Sequence, residues 1–286
     1  MTIRKRAAAS AVAAATAAAG FAAIAPVAHA ATTRTGDLGL PVVVARMSGN
    51  AIHLNVGSSM HAGRVEFKVV STDGRNHTLQ LVWLRKGYTI QQLGQDLGKS
   101  FGGDVDAVNR VDENAVTTGG AESKKDKPAY FTTTLRDHKY YLLDQNGNGI
   151  RALTVTGTPP SRPAAPHVAT VNAFTYGWET SKPALPAQGW IKFHNQADQP
   201  HFIVLQKIKD STTSAMVRKF FKSGAQGNPS WGLKPNVNTG VLSPNQTETV
   251  KLNQPAGTYL LMCFWPDFKT GMPHAFMGMW KIVHLA

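Results

Sequence analysis

The sequence predicts an all-β protein made of two β-sandwiches in tandem. Short runs of alternating apolar residues, typical of half-buried strands, recur along the whole chain. Turns rich in Gly, Pro and Asn separate these runs. A proline-rich segment at 156–166 divides the chain into two stretches that repeat each other. The competing doubly wound α/β fold needs a helix between successive strands, and the sequence supplies about one helix per half.

The repeat can be followed from residue 63 in the first copy and from residue 189 in the second. In each copy an alternating apolar strand leads to a polar turn, a histidine (His77 or His201), a second apolar run and one short helix. The apolar helix positions are Ile90, Leu93 and Leu97 in the first copy, and Val217 with Phe220 or Phe221 in the second. The copies also end alike, because segments 131–143 and 247–261 correspond, as do the closing strands 150–155 and 280–285.

The first thirty residues have the pattern of a secretory signal. A basic start, MTIRKR, precedes an apolar segment at 7–27 and the small-residue site Ala28-His29-Ala30. We therefore predict a signal peptide at 1–30, a first domain at 31–157, a linker at 158–166 and a second domain at 167–286. The mature protein is expected outside the cell or at its surface, with no membrane span, since no later apolar run approaches about 18 residues.

The net charge indicates which partners are expected, and the cysteine content indicates whether a disulfide can form. The formal net charge is +13, which favours attraction to an anionic cell-wall polymer. The basic residues are scattered without interleaved aromatics, so nucleic acid is not an expected partner. One cysteine, Cys263, cannot form an internal disulfide. It is either buried and inert or kept for its chemistry.

Three motifs in the second half resemble those of the cupredoxin family. They are Asn195-Gln-Ala-Asp-Gln-Pro-His201, Pro255-Ala-Gly-Thr-Tyr-Leu-Leu-Met-Cys263 and His274-Ala-Phe-Met-Gly-Met279. The resemblance covers roughly residues 168–286, and the first half only in outline. It implies Greek-key, cupredoxin-like sandwiches and a mononuclear copper site, with His201, Cys263 and His274 equatorial and Met279 axial. It also implies electron transfer or copper carriage, with a redox protein as partner.

The residue chemistry agrees with this resemblance. On a strand, Cys263 shares its face with Tyr259 and Leu261, so its sulfur should point into the sandwich. Two imidazoles, one thiolate and a weak axial thioether are the ligands of an electron-transfer copper site.

The ligand spacing leaves a second interpretation open. Ten residues separate Cys263 from His274, more than in the copper-binding members of the family. A loop of that length can fold as a hairpin and carry His274 away from the cysteine. The protein would then be a metal-free binding or structural module at the cell surface. Met272 and Met277 are alternative thioethers, which with His274 would also suit Cu(I) capture.

The first half is expected to be a degenerate copy without metal. His77 occupies the place of His201, but aligning Tyr140 with Tyr259 puts Asp144 opposite Cys263. Segment 144–149 resembles the opening of a calcium loop, but its twelfth position is Val155 instead of glutamate. We interpret it as an Asn-Gly hairpin turn.

No enzyme is predicted. The chain has neither a G-x-S-x-G elbow nor an H-E-x-x-H motif. It also lacks the His-x-His pairs and the His-Cys-His triplet of multicopper oxidases. A nucleophilic Cys263–His274 pair would need an orienting group and an oxyanion hole, for which no motif is present. Five tryptophans of the second half are interpreted as core and rim residues, with a glycan platform as part of the metal-free alternative: Trp178, Trp190, Trp231, Trp265 and Trp280.

Overall fold

The computed structural model describes residues 36–286. The predicted signal segment 1–30 therefore lies outside the described residues, as do residues 31–35. Among residues 36–286, no helix has the length and apolar character needed to cross a membrane.

The first half consists of nine strands and two helices. The strands are β1 (Val42–Ser48), β2 (Ala51–Leu54), β3 (Ser59–His61), β4 (Gly63–Ser71), β5 (His77–Leu84), β6 (Ala115–Ser123), β7 (Ala129–Leu135), β8 (His138–Asp144) and β9 (Ile150–Thr156). The helices α1 (Ile90–Ser100) and α2 (Val105–Asn114) connect β5 to β6.

The second half again has nine strands, with one α-helix and one short 3₁₀ helix. The strands are β10 (Ala169–Phe174), β11 (Gly177–Thr180), β12 (Ala184–Leu185), β13 (Gln188–Asn195), β14 (Val204–Ile208), β15 (Gly232–Asn238), β16 (Thr247–Asn253), β17 (Gly257–Met262) and β18 (Trp280–Leu285). Helix α3 (Ser214–Lys222) connects β14 to β15, and the 3₁₀ helix (His274–Met277) precedes β18.

The strand order confirms the tandem repeat. The first half has a five-stranded sheet ordered β3-β9-β8-β5-β6, and the second has one ordered β12-β18-β17-β14-β15. These orders become identical when nine is added to each strand number of the first half. The remaining strands form one eight-stranded sheet, β11-β10-β13-β16-β7-β4-β1-β2, in which each half contributes four strands in mirrored order.

The two sandwiches meet edge to edge at the centre of that shared sheet. Strands β7 and β16 pair antiparallel there, with Phe131 opposite Val250. A second contact is made by the buried Gln80, whose side-chain oxygen accepts a hydrogen bond from the Val241 backbone at 2.6 Å. One apolar cluster extends through both halves. The segment predicted as a linker, 158–166, lies between β9 and β10.

The alternating pattern of the sequence explains the strands that flank the core. On β4, Val65, Phe67 and Val69 are buried at two-residue intervals, as expected when alternate side chains face one side of a sheet. Phe67 stacks on Phe131 of β7 with ring centroids 5.0 Å apart. Burial of these side chains is the main stabilising contribution to each sandwich.

The predicted helices are confirmed, but the first half has one more than expected. Helix α1 begins with a capping box between Thr89 and Gln92, and α3 buries Val217 and Phe221. The additional helix α2 buries only Ala107, Val108 and Val111. This small apolar face gave little periodic signal, although the N-cap Asp104, which accepts from the Ala107 backbone, was a usable start signal.

Candidate metal centre

Three of the four predicted ligands converge inside the second sandwich. Their donor atoms all lie within 4.8 Å of one another, and His201, Cys263 and His274 are completely buried. The two imidazole Nδ1 atoms are 3.1 Å apart, and the Cys263 sulfur is 3.7 Å from His274 Nδ1. Within residues 36–286 this is the one group of at least three His, Cys or carboxylate side chains placed to hold an ion.

The turn that carries His201 is fixed by a buried asparagine. The side-chain amide of Asn195, at the end of β13, donates to the carbonyls of Gln199 at 2.7 Å and Leu242 at 2.8 Å. Its side-chain oxygen accepts from the Ala197 backbone. A buried amide with three hydrogen bonds holds the turn in one conformation, and this turn delivers His201 to the site.

The ten residues after Cys263 form a closed hairpin. Asp267 N donates to the Met272 carbonyl, and His274 N donates to the Trp265 carbonyl, both at 2.9 Å. The side chain of Asp267 also accepts from the backbone and hydroxyl of Thr270, which stabilises the tip. The long loop therefore leaves the sandwich and returns, and it brings His274 back beside Cys263. The expectation that a long loop would carry the histidine away is not met.

Burial makes all three donors neutral when no ion is bound. It lowers the pKa of His274 to about 4, against the opposing effect of Asp267 and Asp198. Burial and the neighbouring His274 place the pKa of His201 well below its usual value. Burial raises the pKa of the Cys263 thiol to about 12. The imidazoles are thus already in the form that binds metal, whereas the thiol has to lose its proton on binding.

Gln199 sets the orientation of the His274 ring, and sequence reasoning missed it. The side-chain oxygen of Gln199 accepts from the Phe268 backbone at 3.0 Å, so the atom facing that amide must be the oxygen. The same oxygen lies 3.2 Å from His274 Nε2. The proton of the neutral ring therefore resides on Nε2, and the Nδ1 lone pair points toward Cys263 and His201. The position of Gln199 in the turn before His201 was the available signal.

The donor set fits one soft or borderline cation. For comparable ions, nitrogen binds at about 2.0 Å and sulfur at about 2.3 Å, so ligands of one ion are separated by less than about 4.4 Å. The separations of 3.1 and 3.7 Å are within this limit. The third pair, the His201 nitrogen and the Cys263 sulfur, lies within 4.8 Å. Binding one ion requires at most a small inward shift of these two side chains. Two imidazoles with one thiolate are the equatorial ligands that copper takes in electron-transfer sites.

Met279 is buried, and its backbone is hydrogen-bonded to the backbone of two of the donor residues. Its N–H donates to the His274 carbonyl at 3.0 Å, and its carbonyl accepts from the Cys263 N–H at 3.3 Å. The role of its sulfur as a fourth ligand stays a prediction. Of the alternative thioethers, Met272 is 47% exposed, and the sulfur of Met277 accepts a hydrogen bond from the Thr270 hydroxyl at 3.8 Å.

Aromatic side chains cover the two histidines. The Tyr176 ring meets His274 edge-on at 5.6 Å, and its hydroxyl donates to Asp267 at 2.6 Å. Trp178 lies against His201, with centroids 6.3 Å apart, and its indole donates to the Met279 carbonyl. Among the other predicted core tryptophans, Trp265 is almost fully buried, at 2% exposure. These rings exclude water from the donors.

The equivalent position in the first sandwich holds an imidazole–carboxylate cluster instead. His77 Nδ1 lies 2.6 Å from Asp144, and its Nε2 lies 2.8 Å from Asp73. The register predicted from Tyr140 and Tyr259 agrees with the structure, because each ring oxygen bonds to the backbone four residues upstream. Segment 144–149 forms the predicted hairpin turn between β8 and β9, and the Asp144 N–H donates to the Gly149 carbonyl.

Comparison with known proteins finds similarity among solved structures. No model of a known protein family matches the chain, and no curated protein does. Reduced auracyanin from Roseiflexus castenholzii is 20% identical, with a TM-score of 0.27, over 41% of this chain and 94% of that one. For auracyanin A, a blue copper protein from Chloroflexus aurantiacus, the values are 21%, 0.24, 41% and 98%. For a multi-copper oxidase from Pediococcus acidilactici they are 10%, 0.25, 86% and 58%.

These neighbours are auracyanins and a multi-copper oxidase, and with TM-scores below 0.5 they support no conclusion about this chain. The fold is defined by the sheet topology itself. What the protein does has to be argued from the site, because one sandwich scaffold hosts many functions.

Proposed function

We propose that the second sandwich binds one copper ion through His201, Cys263 and His274, with Met279 as the axial ligand, and that the protein transfers electrons. The observation that carries this proposal is the convergence of three completely buried N and S donors. Copper would supply a one-electron couple at this site. The residues of the chain supply a fixed donor geometry and a dry environment.

Burial favours electron transfer over copper carriage. A carrier has to hand its ion to another protein, whose ligands must reach the ion while it is still bound. Here all three donors are completely buried, and Tyr176 and Trp178 cover the two histidines. Ligand exchange would require the covering rings to move, whereas an electron can cross such a layer without displacing an atom.

Hydrogen bonds from neighbouring residues keep the donors in place whether or not an electron has been gained. Gln199 holds the proton of His274 on Nε2, and the Trp265 N–H donates to the Cys263 sulfur at 3.4 Å. Hydrogen bonds to the sulfur and the apolar surroundings are the features by which a protein tunes such a site. When the ion binds, the proton of Cys263 leaves to solvent.

We also propose that the protein is exported and is not an enzyme. The first thirty residues support export through their signal pattern. The counterpart of the donor set in the first sandwich is occupied by His77 with Asp144, so a second copper centre of the same type is not offered there. A redox protein is the proposed partner. Without Arg4, Lys5 and Arg6 of the signal segment the formal net charge is 13 − 3 = +10, which favours association with an anionic cell-wall polymer.

The test uses the chain from residue 31 onward, purified without metal and mixed with one equivalent of Cu(II). We expect one bound copper after dialysis and a visible absorption band from the thiolate ligand. The variant Cys263→Ser should give neither, whereas the exposed-histidine control His61→Ala should behave like the parent protein. A colourless parent protein that retains no copper would leave the metal-free surface module as the better proposal.

A further inference from the structure

The loop between the proposed ligands contacts the first sandwich through a buried tryptophan. We call residues 264–273 the ligand loop, and α1 with α2 the helical hairpin. Trp265 of the ligand loop is 2% exposed. Its indole N–H donates to a carboxylate oxygen of Asp112 on α2 at 3.2 Å. A side chain of the half without the donor set thus binds the loop that carries the other half's ligands.

Two further contacts hold the ligand loop against the helical hairpin. The ring of Phe101, at the end of α1, meets Trp265 edge-on with centroids 5.8 Å apart. The backbone at Gly271 lies so close to Gly103 that a Cβ at position 271 would come within 2.4 Å of the Gly103 carbonyl oxygen. Gly271 also has a φ of +68°, which favours glycine. The loop and the helical hairpin are therefore in close contact at both ends of the loop.

Trp265 connects this contact to two of the proposed ligands. Its backbone N–H donates to the sulfur of Cys263 at 3.4 Å. Its carbonyl accepts from the backbone N–H of His274 at 2.9 Å. A displacement of Trp265 would therefore disturb a hydrogen bond to each of these residues.

We propose that Asp112 is a positioning residue for the centre: it anchors Trp265 and so keeps the ligand loop closed over Cys263 and His274. The first sandwich, which lacks the donor set, thereby holds the ligand loop of the second sandwich in place. The long Cys263–His274 spacing is what lets the loop reach α2. The effect on copper rests on the proposed function, whereas closure of the loop does not.

Loop closure is tested in the metal-free protein through its single thiol. Cys263 is completely buried, so its reaction with a disulfide reagent such as dithionitrobenzoate requires the loop to open. Asp112→Ala removes the acceptor and Trp265→Phe the donor. Each should accelerate the reaction about fivefold, the size expected for losing a typical hydrogen bond, because burial raises the pKa of Asp112 to about 7 and leaves its carboxyl partly protonated. Asp112→Asn keeps an acceptor oxygen and should restore a rate close to that of the parent protein.

The double variant and a distant control separate positioning from general destabilisation. Asp112→Ala combined with Trp265→Phe should react no faster than Trp265→Phe alone, since both remove the same bond. Lys124→Met removes another contact between the halves, from Lys124 Nζ to the Asn236 side chain at 2.9 Å. It should leave the rate of thiol modification unchanged. Urea unfolding of every variant identifies rate increases that come from global unfolding.

The copper-loaded protein provides the second measurement. In Asp112→Ala the visible band and the reduction potential should shift, and Asp112→Asn should restore both. Thiol rates for Asp112→Ala and Trp265→Phe equal to that of the parent protein would overturn the inference. If these variants react faster but the parent protein binds no copper, the proposed function is rejected and the loop inference stands.

Discussion

The two sandwiches share a topology and differ in what they place at the same position. After β17 the second half has Cys263, facing His201 and His274, whereas the end of β8 in the first half has Asp144, facing His77. Both sets are buried. One consists of neutral donors when empty, and the other is a histidine hydrogen-bonded to carboxylates, an arrangement that needs no metal. Under the proposed function, the same scaffold position serves a cofactor in one half and the stability of the fold in the other.

The difference also lies in the connection that follows. In the first half a short hairpin turn leads from Asp144 directly to β9. In the second half the ten-residue loop leaves the sandwich, contacts α2 and returns as far as His274. A third donor thus requires a longer excursion of the chain. The longer loop contacts the helices of the first half.

The largest expected effect comes from removing the residue that distinguishes the two positions. Cys263→Ser should weaken copper retention by more than about 100-fold, since even residues that only orient metal ligands are worth about 10- to 100-fold. Competition titration with a chelator of known affinity measures this loss. An unchanged affinity would mean that the ion, if bound, does not use the sulfur.

The converse change removes the Asp144 carboxylate, which stands in the first sandwich where Cys263 stands in the second. Asp144→Ala leaves His77 without its 2.6 Å partner, and we expect a loss of about 3 kcal/mol in the free energy of unfolding, as for other broken buried pairs. Urea denaturation of the metal-free protein measures it. The exposed carboxylate variant Glu113→Ala serves as the control and should change stability by less than about 0.5 kcal/mol. Equal losses for the two variants would contradict a special role of the pair.

A third change addresses the hydrogen bonds that orient a buried histidine in each half, His77 in the first and His274 in the second. In the first half two carboxylates hold both ring nitrogens of His77, whereas in the second Gln199 holds Nε2 of His274. Gln199→Leu should lower copper affinity by about 10- to 100-fold, as is typical for partners of metal ligands. Gln206→Leu, on the adjacent strand β14, is the matched control. If Gln199→Leu bound copper as tightly as the parent protein, the orientation of His274 would have to come from packing alone.

The smallest effect is a pH dependence that belongs to the first half. Burial alone would lower the pKa of His77, but its hydrogen bonds to Asp144 and Asp73 outweigh burial and raise it. The protonated ring therefore stabilises the fold fully below about pH 6.5, the usual value for histidine. That stabilisation is lost as the pH rises through the raised pKa.

The measurement is the difference in unfolding free energy between the metal-free parent protein and His77→Gln. This difference should be greatest at low pH and should shrink as the pH increases. A difference that is constant from pH 5 to pH 9 would show that His77 keeps the same charge throughout this range.

Local sequence patterns were sufficient to predict most of the fold. Alternation at Val65, Phe67 and Val69 predicted β4, and the spacing of Ile90, Leu93 and Leu97 predicted α1, because each pattern matches the period of one backbone conformation. Helix α2 was missed because its apolar face is small. The joining of the halves through β7 and β16 was missed because edge pairing depends on backbone groups and not on side-chain pattern.

For the candidate site, the ligand types were predictable, and their surroundings were not. His201, Cys263 and His274 stand in motifs that resemble those of a known family. Gln199 lies within the first of these motifs, but the motif does not reveal its contact with His274, and Asp112 stands in no such motif. Each acts through a contact with a residue that is distant in sequence, since Gln199 meets His274 and Asp112 meets Trp265.

By itself, the sequence determined a tandem all-β architecture, and it predicted a first copy without the donor set and the donors of the second copy. These properties follow from residue type and local period, which do not depend on the path of the chain. Only the tertiary structure decided that the long loop returns His274 to Cys263, that all three donors are completely buried, and that the first sandwich contacts this loop. Distances between residues far apart in sequence arise from packing, and no local pattern encodes them.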